Sequence, residues 1–140
     1  MVTEFLKIIG SEERDGEIIA RAAEVIKAGG LVAIPTETVY GLAGNGLDEQ
    51  AVEKIYDVKG RPSVKPLSLM VPGIEAMDRY CLDVPEQARE LAEKYWPGPL
   101  TIIMKKSEAV PYETTGGLDT VAVRFPVDKT ARAFIKVAGG

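Results

Sequence analysis

At 140 residues, with 46% hydrophobic and 27% charged residues, the chain has the size and balance of one globular domain. Seventeen basic against twenty-one acidic residues leave a formal net charge of −4, so the overall balance does not draw the protein to nucleic acid and any grip on phosphate must be local. With no histidine, Ser-His-Asp and Cys-His nucleophile systems and HExxH zinc sites are excluded, and the single cysteine, Cys81, excludes an internal disulfide and a cysteine-cluster metal site.

Val2 to Ile9 alternates apolar and polar residues weakly and predicts a first or edge strand. From Asp15, read as an N-cap, Ile18, Ile19, Ala22, Val25 and Ile26 share one helical face, and Gly29 stands where a glycine ends a helix. Leu31 to Ile34 is a short apolar run between Gly30 and Pro35, the pattern of a buried strand that enters the loop PTETVYGLAGNG. Asp48 caps a second helix that turns Val52, Ile55 and Tyr56 inward and stops at Gly60. Leu67 to Val71 predicts another strand, and a short helix is expected around Ile74 to Arg79. Asp83 is expected to open a stronger helix, with Pro85 in its first turn and Ala88, Leu91, Ala92 and Tyr95 on one face, halted by Trp96-Pro97-Gly98-Pro99.

Leu100 to Met104 and Thr120 to Phe125 read as two more strands, joined by a polar segment longer than a hairpin needs and expected to be a mobile flap. A last helix, capped by Asp128, carries Ala131, Phe134, Ile135 and Ala138 before Gly139-Gly140. The fold class that follows is α/β or α+β: a twisted, open, mixed β-sheet covered by helices, in a single domain spanning 1–140. A helix ending in a double glycine usually leads into another element, so the domain is expected to be incomplete at its C-terminal end. The cysteine usage fits a reducing compartment. No apolar run approaches the ~20 residues that span a bilayer. A cytoplasmic protein without membrane contact is therefore expected.

Three places can carry chemistry. Thr36, Glu37, Thr38 and Tyr40 bring hydroxyls, a carboxylate and a phenol to a strand end, where open α/β sheets bind ligands, and Gly41, Gly44 and Gly46 would let a ligand approach the backbone. The commoner use of such residues is an ordinary connection, threonines satisfying turn amides and glycines supplying positive φ. Lys59, Arg61 and Lys65 place three cations in seven residues with no acid between them, either an anion site for a nucleotide or pyrophosphate or a solvated basic loop. Neither loop matches a Walker or Rossmann phosphate motif. Arg124 ends an apolar β run and must find a ligand or an acidic partner. Trp96 reads as a core plug at a helix end, and Met70, Met77 and Met104 read as packing residues.

Taken in order, GGLVAIPTETVYGLAGNG, KGRPSVKPLSLMV, KYWPGPLTIIM and GLDTVAVRFP resemble the YrdC family of threonylcarbamoyl-AMP synthases, over roughly Ala20 to Phe134. The resemblance implies a YrdC/RibB-like twisted open sheet with a concave, positively charged cavity on one face. It implies condensation of L-threonine, bicarbonate and ATP, with magnesium on the phosphates, into L-threonylcarbamoyl-AMP and pyrophosphate, and no residue is assigned as general base. A separate transferase then delivers the threonylcarbamoyl group to an adenosine of tRNA. It further implies that Thr36, Thr38, Tyr40 and Arg124 contact threonine, and that Lys59, Arg61, Lys65 and Thr120 contact ATP.

Two residues depart from the family's NPLxxH block, Lys65 standing for its asparagine and Met70 for its histidine, and the SxN-type block expected further on is not in this sequence. They motivate the alternative of a non-catalytic, YciO-like module binding nucleotide or, weakly, RNA. A carbamoyl-transfer domain of a hydrogenase-maturation protein is disfavoured, since no zinc-finger cysteines accompany the blocks.

Overall fold

The computed structural model describes residues 3–139. Its elements run α1 (Glu12–Lys27), β1 (Val32–Ile34), β2 (Gly41–Ala43), α2 (Glu49–Lys59), β3 (Ser68–Met70), a 3-10 turn (Ile74–Ala76), α3 (Met77–Tyr80), α4 (Glu86–Tyr95), β4 (Thr101–Lys105), β5 (Thr120–Arg124) and α5 (Lys129–Ala138). This is the expected mixed α/β class with an open mixed sheet. Among the described residues the strands form two sheets: an antiparallel pair β1-β2, and three strands in the order β3-β5-β4, with β3 parallel and β4 antiparallel to β5.

The helix ends follow the chemistry of their caps. Asp48 accepts from the backbone N–H of Gln50 and Ala51, and Gly60 closes α2 at φ 62°. Asp128 accepts from Ala131 N–H at the start of α5. Gly29, at φ 85°, follows the end of α1 as expected. Two expected caps are corrected. Helix α1 begins earlier, behind Ser11, because Glu12, Glu13 and Asp15 all suit the positive end of the helix dipole. Asp15 instead reaches back to accept from Ile9 and Gly10 N–H, both at 2.9 Å. Helix α4 begins behind Pro85 rather than at Asp83, which bends the chain at φ 49°.

Other expectations change with burial and pairing. Residues 3–9 form no strand: no neighbouring strand pairs with them, Phe5 is 92% exposed, and Arg21 ties the segment down through Glu4. Val2 lies outside the described residues. On α4, Ala88 and Ala92 are buried, while Leu91 and Tyr95 face solvent. The Gly41–Ala43 stretch, expected to be loop, pairs with β1 in the register Ile34↔Gly41 to Val32↔Ala43. The β4-β5 connection is no free flap. It buries Val110, Thr114 and Thr115 completely, Lys106 N–H donates to Asp119 O, and Thr114 Oγ1 donates to Gly46 O at 2.6 Å.

Two cores result. Alternation along the three-stranded sheet sends Leu69, Ile102, Met104, Val121 and Val123 to one face, where Met77, Tyr80, Ala88, Ala92 and Trp96 cover them. Trp96 is the plug expected from its position, 6% exposed, its indole N–H donating to Leu100 O. The second core joins Ala22 and Ile26 of α1, Ile34 of β1, and Phe134 and Ile135 of α5.

Candidate functional site: the open sheet face and the hairpin tip

Residues of α3 and α4 cover one face of the three-stranded sheet, and the other face carries the more polar alternates, with Met70 of the β3 edge packed against the second core. Register sets Met70, Arg124 and Thr101 side by side at one end, Ser68, Ala122 and Ile103 in the middle, and Thr120 beside Lys105 at the other end. Thr120 and Arg124 therefore share a face but stand about 13 Å apart along β5. Ile103 is 67% exposed on this face, whereas Met70 packs against the second core and the Arg124 side chain is only 16% exposed.

The PTETVY segment is the tip of the β1-β2 hairpin. Thr36 organises it: its hydroxyl donates to Val39 O at 2.5 Å, accepts from Thr38 N–H at 3.2 Å, and lies 3.1 Å from the Thr38 hydroxyl. That holds Thr38 and Tyr40 outward, Tyr40 being 77% exposed. Glu37 points the other way. Its Oε1 accepts from Arg124 Nη2 at 2.5 Å, with the two side chains 17% and 16% exposed, and so ties the tip to the end of β5. Burial pushes the Glu37 carboxyl up, but the Arg124 hydrogen bond, nearby backbone amides and the Arg124 charge outweigh it, and the carboxyl sits below its ordinary value. Of the two fates open to Arg124, the structure shows the acidic partner.

The basic loop is built as firmly. Arg61 folds back to donate from Nη2 to Pro66 O at 2.9 Å and from Nε to Lys65 O at 3.4 Å. The Tyr56 hydroxyl, buried beneath, reaches Lys65 O at 2.8 Å and Glu113 O at 3.1 Å. Lys59 and Lys65 project into solvent. Two of the glycines expected to admit a ligand have another reason: a Cβ on Gly44 would stand 2.9 Å from Leu31 Cδ2, and one on Gly46 would stand 2.5 Å from Leu69 Cδ2. They are small because Leu31 and Leu69 press on them, and of the three only Gly41 has open space at that point.

The structure thus joins Thr36, Thr38 and Arg124 at one end of the open face through Glu37, sets Thr120 at the far end, and holds Arg61 and Lys65 on a separate loop. Two hollows among the described residues, of about 220 and about 360 Å³, are not lined by Thr38, Arg61 or Arg124. The smaller one runs along Gly41–Leu47 to Ser68 and Met70, and so adjoins the open face. In the sequence Glu37 counts as a carboxylate brought to the strand end with the hydroxyls, not as the partner of Arg124. The signal was available, since it is the only acid in PTETVYG and Arg124 needed one.

The profile of the Sua5/YciO/YrdC family, described as telomere recombination, matches residues 24–140. The chain belongs to this family. Over 132 residues it is 48% identical to a threonylcarbamoyl-AMP synthase of Pyrococcus abyssi, a match that covers 94% of this chain and 39% of the relative. It is 43% identical to a threonylcarbamoyl-AMP synthase of Bacillus subtilis over 122 residues, 86% of this chain and 35% of the relative. The chain therefore spans somewhat over a third of the length of these curated relatives. Among solved structures, P. abyssi Sua5 complexed with L-threonine superposes with a TM-score of 0.87 at 48% identity, over 89% of this chain and 36% of that one. E. coli YciO superposes with a TM-score of 0.79 at 26% identity, over 89% of this chain and 60% of that one. Both branches of the Sua5/YciO/YrdC family thus share the present fold.

Proposed function

We propose that this chain carries substrate-binding surface of an L-threonylcarbamoyladenylate synthase, a nucleotidyltransferase. The observation that carries the reading is the Glu37–Arg124 link, which seats the hydroxyl-bearing hairpin tip against the Arg124 end of the sheet face opposite the first core. An amino acid needs a cation for its carboxylate and oxygen acceptors for its nitrogen, and Arg124 with Thr36, Thr38 and Tyr40 supplies them. Lys59, Arg61 and Lys65 supply mobile and fixed positive charge for the ATP phosphates, Arg61 being held to its own loop through Nε and Nη2. Thr120 offers a hydroxyl to the nucleotide at the far end of the face. The names of the relatives and the L-threonine complex of P. abyssi Sua5 support this reading over a non-catalytic nucleotide- or RNA-binding module.

In the proposed reaction the threonine amine adds to carbon dioxide derived from bicarbonate, losing a proton to give a carbamate. A carbamate oxygen then attacks the α-phosphorus of ATP, and the bond to the β-phosphate oxygen breaks to release pyrophosphate. No side chain need become covalently attached, so the lack of histidine is no obstacle: orientation alone contributes up to about 7–11 kcal/mol in favourable cases. Among the described residues no three acidic, cysteine or histidine side chains gather to hold a metal ion, so no residue of the chain is assigned to magnesium. No described helix is long and apolar enough to cross a membrane. The product would pass to a separate transferase acting on tRNA in the cytoplasm.

The test is chemical. The complete protein given ATP, L-threonine and radiolabelled bicarbonate should form a labelled nucleotide and release pyrophosphate only when threonine is present. ATP binding without threonine-dependent pyrophosphate would favour the non-catalytic module.

A further inference from the structure

The ion pair that joins the hairpin tip to β5 is only half made. On the surface, Arg21 grips Glu4 with two parallel bonds, Nη2 to Oε1 at 2.6 Å and Nε to Oε2 at 3.2 Å. Arg124 and Glu37 are far more buried, yet they make only the Nη2 to Oε1 bond. Arg124 Nε and Glu37 Oε2, the two atoms that the second bond would join, are buried without a partner among the described residues. A buried donor or acceptor left unpaired forfeits its hydration in full, so a bridge serving stability alone would close that second bond. The remaining guanidinium nitrogen, Nη1, has no acceptor among the described residues and is not among the fully buried unpaired atoms, so it keeps some access to solvent. Strand register sets Arg124 itself between Met70 and Thr101, on the face opposite the first core.

We propose that Glu37 is a positioning residue: by holding Arg124 through a single nitrogen it aims the rest of the guanidinium at the carboxylate of the bound amino acid. The inference rests on the reading of Arg124 as the threonine carboxylate contact. Glu37 also cancels the charge of Arg124 while the site is empty, so the face receives a zwitterion without a buried, uncompensated cation waiting for it. A guanidinium without this restraint would sample several rotamers, and the entropy of fixing it would fall on the ligand.

The experiment is calorimetric titration of the full chain with L-threonine, L-threoninamide and ATP. The unaltered chain should bind L-threonine more tightly than the amide, which lacks the carboxylate. E37Q should weaken L-threonine about tenfold or more, leave ATP unchanged, and abolish the preference for acid over amide. E37D, which keeps the charge on a shorter arm, should fall between the two, and it carries the comparison if E37Q fails to fold. Equal threonine affinity in E37Q and the unaltered chain would overturn the positioning role, as would equal weakening of threonine and threoninamide. Failure of the unaltered chain to bind L-threonine at all would overturn the reading of the site itself, and the proposal with it.

Discussion

Gly116 offers the sharpest stability test, because the structure separates two penalties that usually come together. It sits at φ 62° in the β4-β5 connection, and a Cβ there would lie 2.7 Å from Val64 O, 2.9 Å from Val64 C and 3.2 Å from Pro66 N. Those are backbone atoms of the loop that carries Arg61 and Lys65, and no rotamer change relieves the overlap. Its neighbour Gly117 has φ 85° with nothing within 4 Å of the same position. Gly117→Ala should therefore cost only the left-handed backbone penalty, about 1–2 kcal/mol. Gly116→Ala adds overpacking of about 1–3 kcal/mol, for about 2–5 kcal/mol altogether. The extra strain should also disturb the carbonyls of Lys65 and Pro66 that Arg61 grips, and so weaken ATP binding. Urea unfolding of the two variants, with ATP titrations on each, measures both effects. Equal unfolding free energies, or a less stable Gly117→Ala, would refute the claim that this connection is the mould of the basic loop.

Further expectations concern the same framework. Tyr56→Phe removes the hydroxyl that reaches Lys65 O and Glu113 O, and urea unfolding should show a loss of about 1–3 kcal/mol. Asp48→Ala should cost about 1 kcal/mol by the same assay, while Ser11→Ala, whose side chain makes no cap bond, should fall within about 0.5 kcal/mol of the unaltered chain. Glu37 has its carboxyl lowered from 4.5 by folding, so its stabilising contribution is present above that value and is lost as pH falls through the lower folded one. Unfolding free energies followed downward from about pH 5 should therefore decline less steeply in Glu37→Gln than in the unaltered chain. Burial, with a smaller push from Asp78, raises the Cys81 thiol to about 11, so maleimide should label it far more slowly in the native chain than in urea at pH 8.

Helices α1, α2 and α5 were legible because local signals agreed: an apolar face at helical spacing, an aspartate or glycine at an end, and little competing turn chemistry. Helix α4 was legible at its C-terminal end but not at its start or in orientation, since Asp83 bends the chain instead of capping it, and Ala88 and Ala92 fill the narrow buried stripe without Leu91 or Tyr95. Strand β2 was hidden because three residues beginning with glycine carry no period, and its existence depends on β1 lying opposite. Residues 3–9 show the converse: an alternating run without a partner strand stays irregular and exposed. At the site, residue types were readable but pairings were not. Glu37 and Arg124 are 87 residues apart, and only the fold brings them together. The length of the β4-β5 connection suggested freedom, whereas its buried Thr114 and Thr115 find backbone acceptors in Gly46 and Leu118 and turn it into scaffold.

The central claim is that the hairpin tip and the end of β5 form one amino-acid site. It is tested most directly by backbone amide NMR of the chain titrated with L-threonine, since the perturbed residues locate the ligand without assuming catalysis. The account predicts saturable shifts concentrated at Thr36 to Tyr40, Met70 and Arg124, greatly reduced in Arg124→Ala. Shifts confined to other surfaces, or an Arg124→Ala response indistinguishable from that of the unaltered chain, would contradict it.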